Sequence, residues 1–67
     1  MDSKTLFESM FHTVRLIERS GRERKAKVIV FESEYDSGCG EARIWLDDDL
    51  EPGILQQSEI SLLQILD

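Results

Sequence analysis

The segment Tyr35-Asp36-Ser37-Gly38-Cys39-Gly40-Glu41 gathers a thiol, a hydroxyl and two carboxylates into one short stretch. Nucleophilic catalysis by such a set needs a base within hydrogen-bond reach of the nucleophile, and a further group to orient that base. His12 is the only histidine, and it belongs to a distant part of the sequence beside an apolar stripe. A loop tip in a 67-residue chain also offers little concavity for enclosing a substrate. The segment therefore reads as a glycine-rich reversal carrying an incidental cysteine. No catalytic residue is assigned, and the protein is expected not to be an enzyme.

Asp47-Asp48-Asp49 with Glu51 raises the question of a divalent cation. Calcium loops alternate their ligands and place a glycine at the sharp turn, whereas consecutive aspartates on an extended chain point in different directions. One cysteine and one histidine also fall short of a structural zinc set. No metal and no cofactor is expected. The basic stretch Arg19–Lys27 could meet phosphate, but no aromatic residue is interleaved for base stacking and the surrounding acids repel a polyanion. Direct nucleic-acid binding is disfavoured.

What the charges do show is segregation. Residues 15–27 hold Arg15, Arg19, Arg22, Arg24, Lys25 and Lys27 against Glu18 and Glu23, a local net of +4. Residues 28–67 hold ten acids against Arg43 alone, a net of −9 within an overall −6. A small molecule so divided has a directional field that steers partners and rejects wrong ones. Trp45 lies within the acidic part, and an aromatic beside valines with a charged rim has the composition of an interface hot spot. Coverage of that face by a helix is the competing expectation.

These observations give two functional readings. In the first, the protein is a small acidic binding module, an inhibitor or adaptor. Its partner-binding surface is Glu32, Glu34, Asp36, Glu41, Trp45, Asp47, Asp48 and Asp49, presented to another protein with a basic surface. Such a surface imitates the spaced charge of a nucleic-acid backbone. In the second, the protein is a structural or regulatory subunit of a homodimer or larger assembly, its basic 15–27 segment meeting the acidic 36–51 segment of a neighbour.

The elements that position these residues follow from periodicity. Leu6, Phe7, Met10, Phe11, Val14 and Ile17 recur at helical steps, which predicts an N-terminal amphipathic helix. Thr5 with Glu8, or Ser3, would cap it, and Gly21 would stop it. A strand over His12–Glu18 is the alternative. Residues 26–47 predict a β-hairpin turning at Asp36–Gly40. Pairing Asp36 with Glu41 puts Ile29, Phe31, Ser33, Tyr35, Ala42, Ile44 and Leu46 on one face. Val28, Val30, Glu32, Glu34, Arg43, Trp45 and Asp47 fall on the other, with Glu34 opposite Arg43 and Glu32 opposite Trp45. Pro52-Gly53 suits a type II turn. The tail is expected to form a short helix capped by Ser58, with Ile60, Leu63 and Leu66 on one stripe. Its alternative is a pair of strands, Ile54–Gln57 and Ile60–Leu66.

The expected fold is thus α+β in a single domain, residues 1–67: N-terminal helix, central antiparallel β-hairpin, C-terminal short helix. The alternative is a small SH3-like β-barrel with an N-terminal helix. A chain of this size buries about 60% of the surface its unfolded form exposes, and one cysteine excludes an internal disulfide, so a homodimer is expected. The start, Met1-Asp2-Ser3-Lys4, lacks a secretory pattern, and the apolar run Val28–Phe31 is too short to span a bilayer. A cytoplasmic, reducing location without membrane contact is the expectation.

Overall fold

Alternation, rather than helical periodicity, governs the chain from Thr13 onward. The computed structural model describes residues 1–67. It has one short helix, α1 (Ser3–Glu8), and five strands: β1 (Thr13–Glu18), β2 (Glu23–Glu32), β3 (Arg43–Leu46), β4 (Ile54–Gln56) and β5 (Ile60–Ile65). A 3-10 turn, Gln57–Glu59, separates the last two strands. All pairings are antiparallel, in the spatial order β4-β3-β2-β1-β5. No helix is long and apolar enough to cross a membrane.

Asp2 begins the chain's first element. Its carboxylate accepts the Thr5 N–H at 2.8 Å, which satisfies one of the amide donors a helix start leaves free. The Thr5 side chain first, and this backbone bond second, hold the Asp2 carboxyl below its usual range. The helix ends after two turns, where the Ser9 hydroxyl donates back to the Leu6 carbonyl and Phe11 takes a left-handed backbone with φ 70°. Phe11 N–H then donates to the Val28 carbonyl at 2.7 Å, so the chain passes directly into sheet pairing.

Strand β2 is long because both of its halves are paired, Glu23–Lys27 with β1 and Val28–Glu32 with β3. Its inward positions Arg24, Ala26 and Val28 alternate with outward Lys25 and Lys27. Val14 and Leu16 of β1, Ile44 and Leu46 of β3, Leu55 of β4 and Ile60 at the start of β5 join Ala26 and Val28 in one apolar cluster, with Leu6 and Ala42 added. Side chains from both halves of the sheet meet there, so the sheet curls around its core. Phe31 packs against this cluster, and the exposed Phe7 lies edge-on to that ring with centroids 5.4 Å apart.

The expected helix–hairpin–helix arrangement is therefore corrected to a small, mostly-β fold. The stripe Val14/Ile17 suits a helix, but Leu16 shares the buried face with Val14, and that spacing belongs to a strand. Asp2 caps the helix instead of Ser3 or Thr5, and Gly21, with φ 96°, turns β1 into β2 instead of ending a helix. The expected C-terminal helix is replaced by β4, the 3-10 turn and β5, and Ser58 caps nothing. As for the barrel alternative, its N-terminal helix is confined to Ser3–Glu8, and no ladder joins β4 to β5 to close a ring.

The hairpin is present with a different register. Glu32 faces Arg43 and Val30 faces Trp45, two residues away from the expected pairing. A shift of two preserves the faces, because side chains alternate with a period of two. A bulge between Val28 and Val30 then exchanges Val28 for Ile29 in the core. Gly53 lacks the positive φ of a type II turn, and the Glu51–Pro52 peptide is cis.

Candidate functional site

The outer surface of β2, β3 and β4 carries a cross-strand row, Val30–Trp45–Ile54. The next row is Glu32–Arg43–Gln56. Trp45 is 37% exposed, as is Ile54, and Ile29 at the bulge stands out beside them. Cross-strand neighbours on one face lie close enough to make a continuous patch. No helix covers it.

One carboxylate organises the patch. Glu32 Oε1 accepts from Arg43 Nε at 2.8 Å and from the Trp45 indole Nε1 at 2.7 Å. Arg43 Nη2 reaches Oε2 at 3.3 Å. The Arg43 bond first, and the Trp45 bond second, hold the Glu32 carboxyl below the ordinary 4.5 of a glutamate. Glu32 in turn raises the Arg43 guanidinium. The indole is thereby pinned by its polar edge while its ring remains available to solvent.

A second cluster uses up acids that the sequence had offered as a partner surface. Arg24 is 2% exposed, inside the curl. Its guanidinium donates through Nε and Nη2 to the two oxygens of Asp48, through Nη1 to the Pro52 carbonyl at 2.6 Å, and through Nη2 to the Leu50 carbonyl at 3.2 Å. Glu18 Oε2 lies 3.4 Å from Nη1. Burial pulls the guanidinium's pKa down, and the Asp48 carboxylate overcomes it, so the net shift is upward and the group stays charged. Asp47 accepts the Lys27 N–H at 2.8 Å and continues the β2–β3 pairing past Leu46. Glu41 accepts the N–H and hydroxyl of Ser58, at 2.6 and 3.0 Å.

The eight expected partner-binding residues thus separate into two groups. Glu41, Asp47 and Asp48 tie separate segments of the fold together, while Glu32 is occupied on the outer face by Arg43 and Trp45. Glu34 and Asp49 are exposed with no side-chain bond, while Asp36 is exposed and accepts the Ser33 hydroxyl at 3.1 Å. Ile54 belongs to the site and was absent from the expectation. Its signal was the alternative strand reading of Ile54–Gln57, and the structure pairs it with Trp45. Within the basic segment, Arg15 pairs with Glu23, Arg19 donates to the Ser58 carbonyl and Arg22 to the Glu51 carbonyl. Of the opposite-charge pairing expected between the basic segment of one chain and the acidic segment of another, the Arg24–Asp48 ion pair occurs within one chain.

The cysteine segment is a wide loop between β2 and β3, with Gly38 and Gly40 at positive φ. Cys39 is exposed, and the Ser37 hydroxyl 3.2 Å away holds its thiol below the ordinary 9.0. His12 lies elsewhere, its Nδ1 2.8 Å from Asp67 Oδ1, so no base stands beside the thiol. The Thr13 N–H first, and His12 second, keep the Asp67 carboxyl low. No three His, Cys, Asp or Glu side chains converge as metal ligands would. Comparison with family models, curated proteins and solved structures finds no match to the chain.

Proposed function

We propose that this protein works by binding another protein, as an inhibitor or adaptor, through the outer face of β2, β3 and β4. The observation that carries the reading is the pinned indole: Trp45 stands 37% exposed in an apolar row while Glu32 fixes its edge at 2.7 Å. An aromatic held in one orientation loses little further freedom on docking, so more of its burial is retained as affinity. The exposed carboxylates Glu34, Asp36 and Asp49, in a chain of net charge −6, favour a partner with a basic rim around an apolar recess. Extended imitation of a nucleic-acid backbone has less support, because five of the seven acids proposed for it are engaged in internal bonds, Asp36 only with the nearby Ser33 hydroxyl.

The test is affinity capture from the native host, followed by equilibrium binding of the purified partner. Trp45→Ala is expected to weaken binding by about 30-fold or more, the scale of a hot spot. Asp49→Lys changes a side chain with no internal bond, and is expected to slow association most at low salt. A partner that binds both folded variants as tightly as the native protein overturns the proposal. Far-UV circular dichroism of each variant establishes that it is folded.

A further inference from the structure

The two edges of the sheet are finished differently. At one edge, β4 has three residues, and its outward Gln56 N–H is taken by Glu59 Oε1 at 2.9 Å. A short strand with its amide satisfied by a local carboxylate offers little to an incoming chain. At the other edge, β5 pairs with β1 alone. Leu66 N–H donates to the Thr13 carbonyl, so by the alternation of an antiparallel ladder the peptide groups of Leu63 and Ile65 point away from β1. From Ile60 to Leu66 there is no charged residue and no proline, in a chain that is 33% charged. Leu62 and Ile65 are each 42% exposed, and Leu66 is 48% exposed. The devices that normally protect an edge strand are missing from this one after the bulge at Ser61.

We infer that β5 pairs antiparallel with β5 of a second copy, about a two-fold axis at Gln64. The sequence of the strand selects this occupant. With Gln64 facing Gln64, Leu63 and Ile65 each face the other's counterpart on the inner side, and they are the residues whose peptide groups point outward. On the outer side Leu62 faces Leu66, and the two carboxamides meet at the axis. Every pair is apolar with apolar or amide with amide, and no like charges are brought together despite the net charge of −6. A strand without charge offers a basic or acidic foreign partner nothing to pair with, whereas it complements itself. The joined strands carry one sheet through both copies and place the Trp45 faces away from the contact, since Trp45 lies on β3 toward the opposite edge.

Sedimentation of the full chain from about 1 μM to about 1 mM, spanning the affinities of ordinary weak and moderate dimers, tests this. A concentration-dependent dimer is expected. Gln64→Glu sets two carboxylates face to face at the axis and is expected to raise the dimer dissociation constant at least about tenfold. The same change leaves the monomer folded, because Gln64 already sits against Arg15 at 3.3 Å. In a Cys39→Ser background, Gln64→Cys is expected to form an intermolecular disulfide on oxidation, and Leu62→Cys, whose counterpart would be Leu66, to form little. A monomer throughout the range, a Gln64→Glu dimer as tight as the native one, or equal cross-linking of both cysteines overturns the inference.

Discussion

Arg24 and Arg43 each hold a carboxylate from another part of the chain, and they put that bond to different uses. Arg24 lies inside the curl and binds Asp48 together with the Leu50 and Pro52 carbonyls. One residue of β2 thereby anchors the connection between β3 and β4. Arg43 lies on the outer face and binds Glu32, which also binds Trp45. The first bond fixes backbone that would otherwise be a loop, and the second fixes a side chain for display. A buried ion pair is sensitive to loss of either member, since the survivor keeps its desolvation cost without compensation. A surface pair contributes little to stability, so its effect must be sought in the geometry it imposes. Counting acids by position along the chain cannot separate these two roles.

The largest expected effect comes from breaking the buried member of this comparison. Asp48→Ala leaves the Arg24 guanidinium buried with only Glu18 and carbonyl oxygens, and should destabilise the fold by about 3–5 kcal/mol. A domain of this size has total stability of about that order, so the variant should be largely unfolded at 25 °C. Urea unfolding followed by circular dichroism measures it. The double variant Arg24→Met with Asp48→Leu removes both charges and should recover much of the loss. Equal instability of the double and single variants would mean that the loop carbonyls, rather than the uncompensated charge, dominate.

The outer cluster should respond in the opposite way. Glu32→Gln should leave the urea midpoint close to the native value while loosening the indole, whose acceptor changes from a charged carboxylate to a neutral amide oxygen. Trp45 is the only tryptophan, so its emission reports this directly as a shift to longer wavelength. If Glu32→Gln unfolds the protein as Asp48→Ala does, the contrast between a structural and a displaying pair is lost.

The face around Trp45 was legible because strict alternation puts Val30, Glu32, Arg43, Trp45 and Asp47 on one side in any register that differs by two. The register itself was not legible, since the bulge at Ile29 is a choice between two adjacent β-branched residues, Val28 and Ile29, that fit the core equally by type. The first strand was obscured because Val14 and Ile17 satisfy a helical step while Val14 and Leu16 satisfy a strand step. The deciding factor is pairing with Glu23–Lys27, and those five residues carry four charges that disguise a strand. Arg24 is the clearest case: its sequence neighbours mark it as solvent-exposed, and its burial is compensated chiefly by the distant Asp48 and the carbonyls of Leu50 and Pro52. In the tail the strand alternative over Ile60–Leu66 was legible, but the bulge at Ser61, which decides how Leu62 and Leu63 pair, was not.

The smallest expected effect is the pH response of the outer cluster. In the folded protein the Glu32 carboxyl is held below 4.5 by Arg43 and then by Trp45. A group whose folded pKa is depressed contributes stability that is fully present above the ordinary value and is lost as pH falls through the lowered one. Native Trp45 emission should therefore hold steady as pH falls past 4.5 and change only below it. Arg43→Ala removes the larger cause of the depression, so the transition should move up toward the ordinary glutamate value while Trp45 remains as the lesser partner. In Trp45→Phe the emission probe is gone, and the Glu32 carboxyl carbon followed by NMR should show a smaller upward move than in Arg43→Ala. A native transition at or above 4.5 would mean that the indole is not held by an ionised Glu32, and with it would go the reason for treating Trp45 as a prepared anchor.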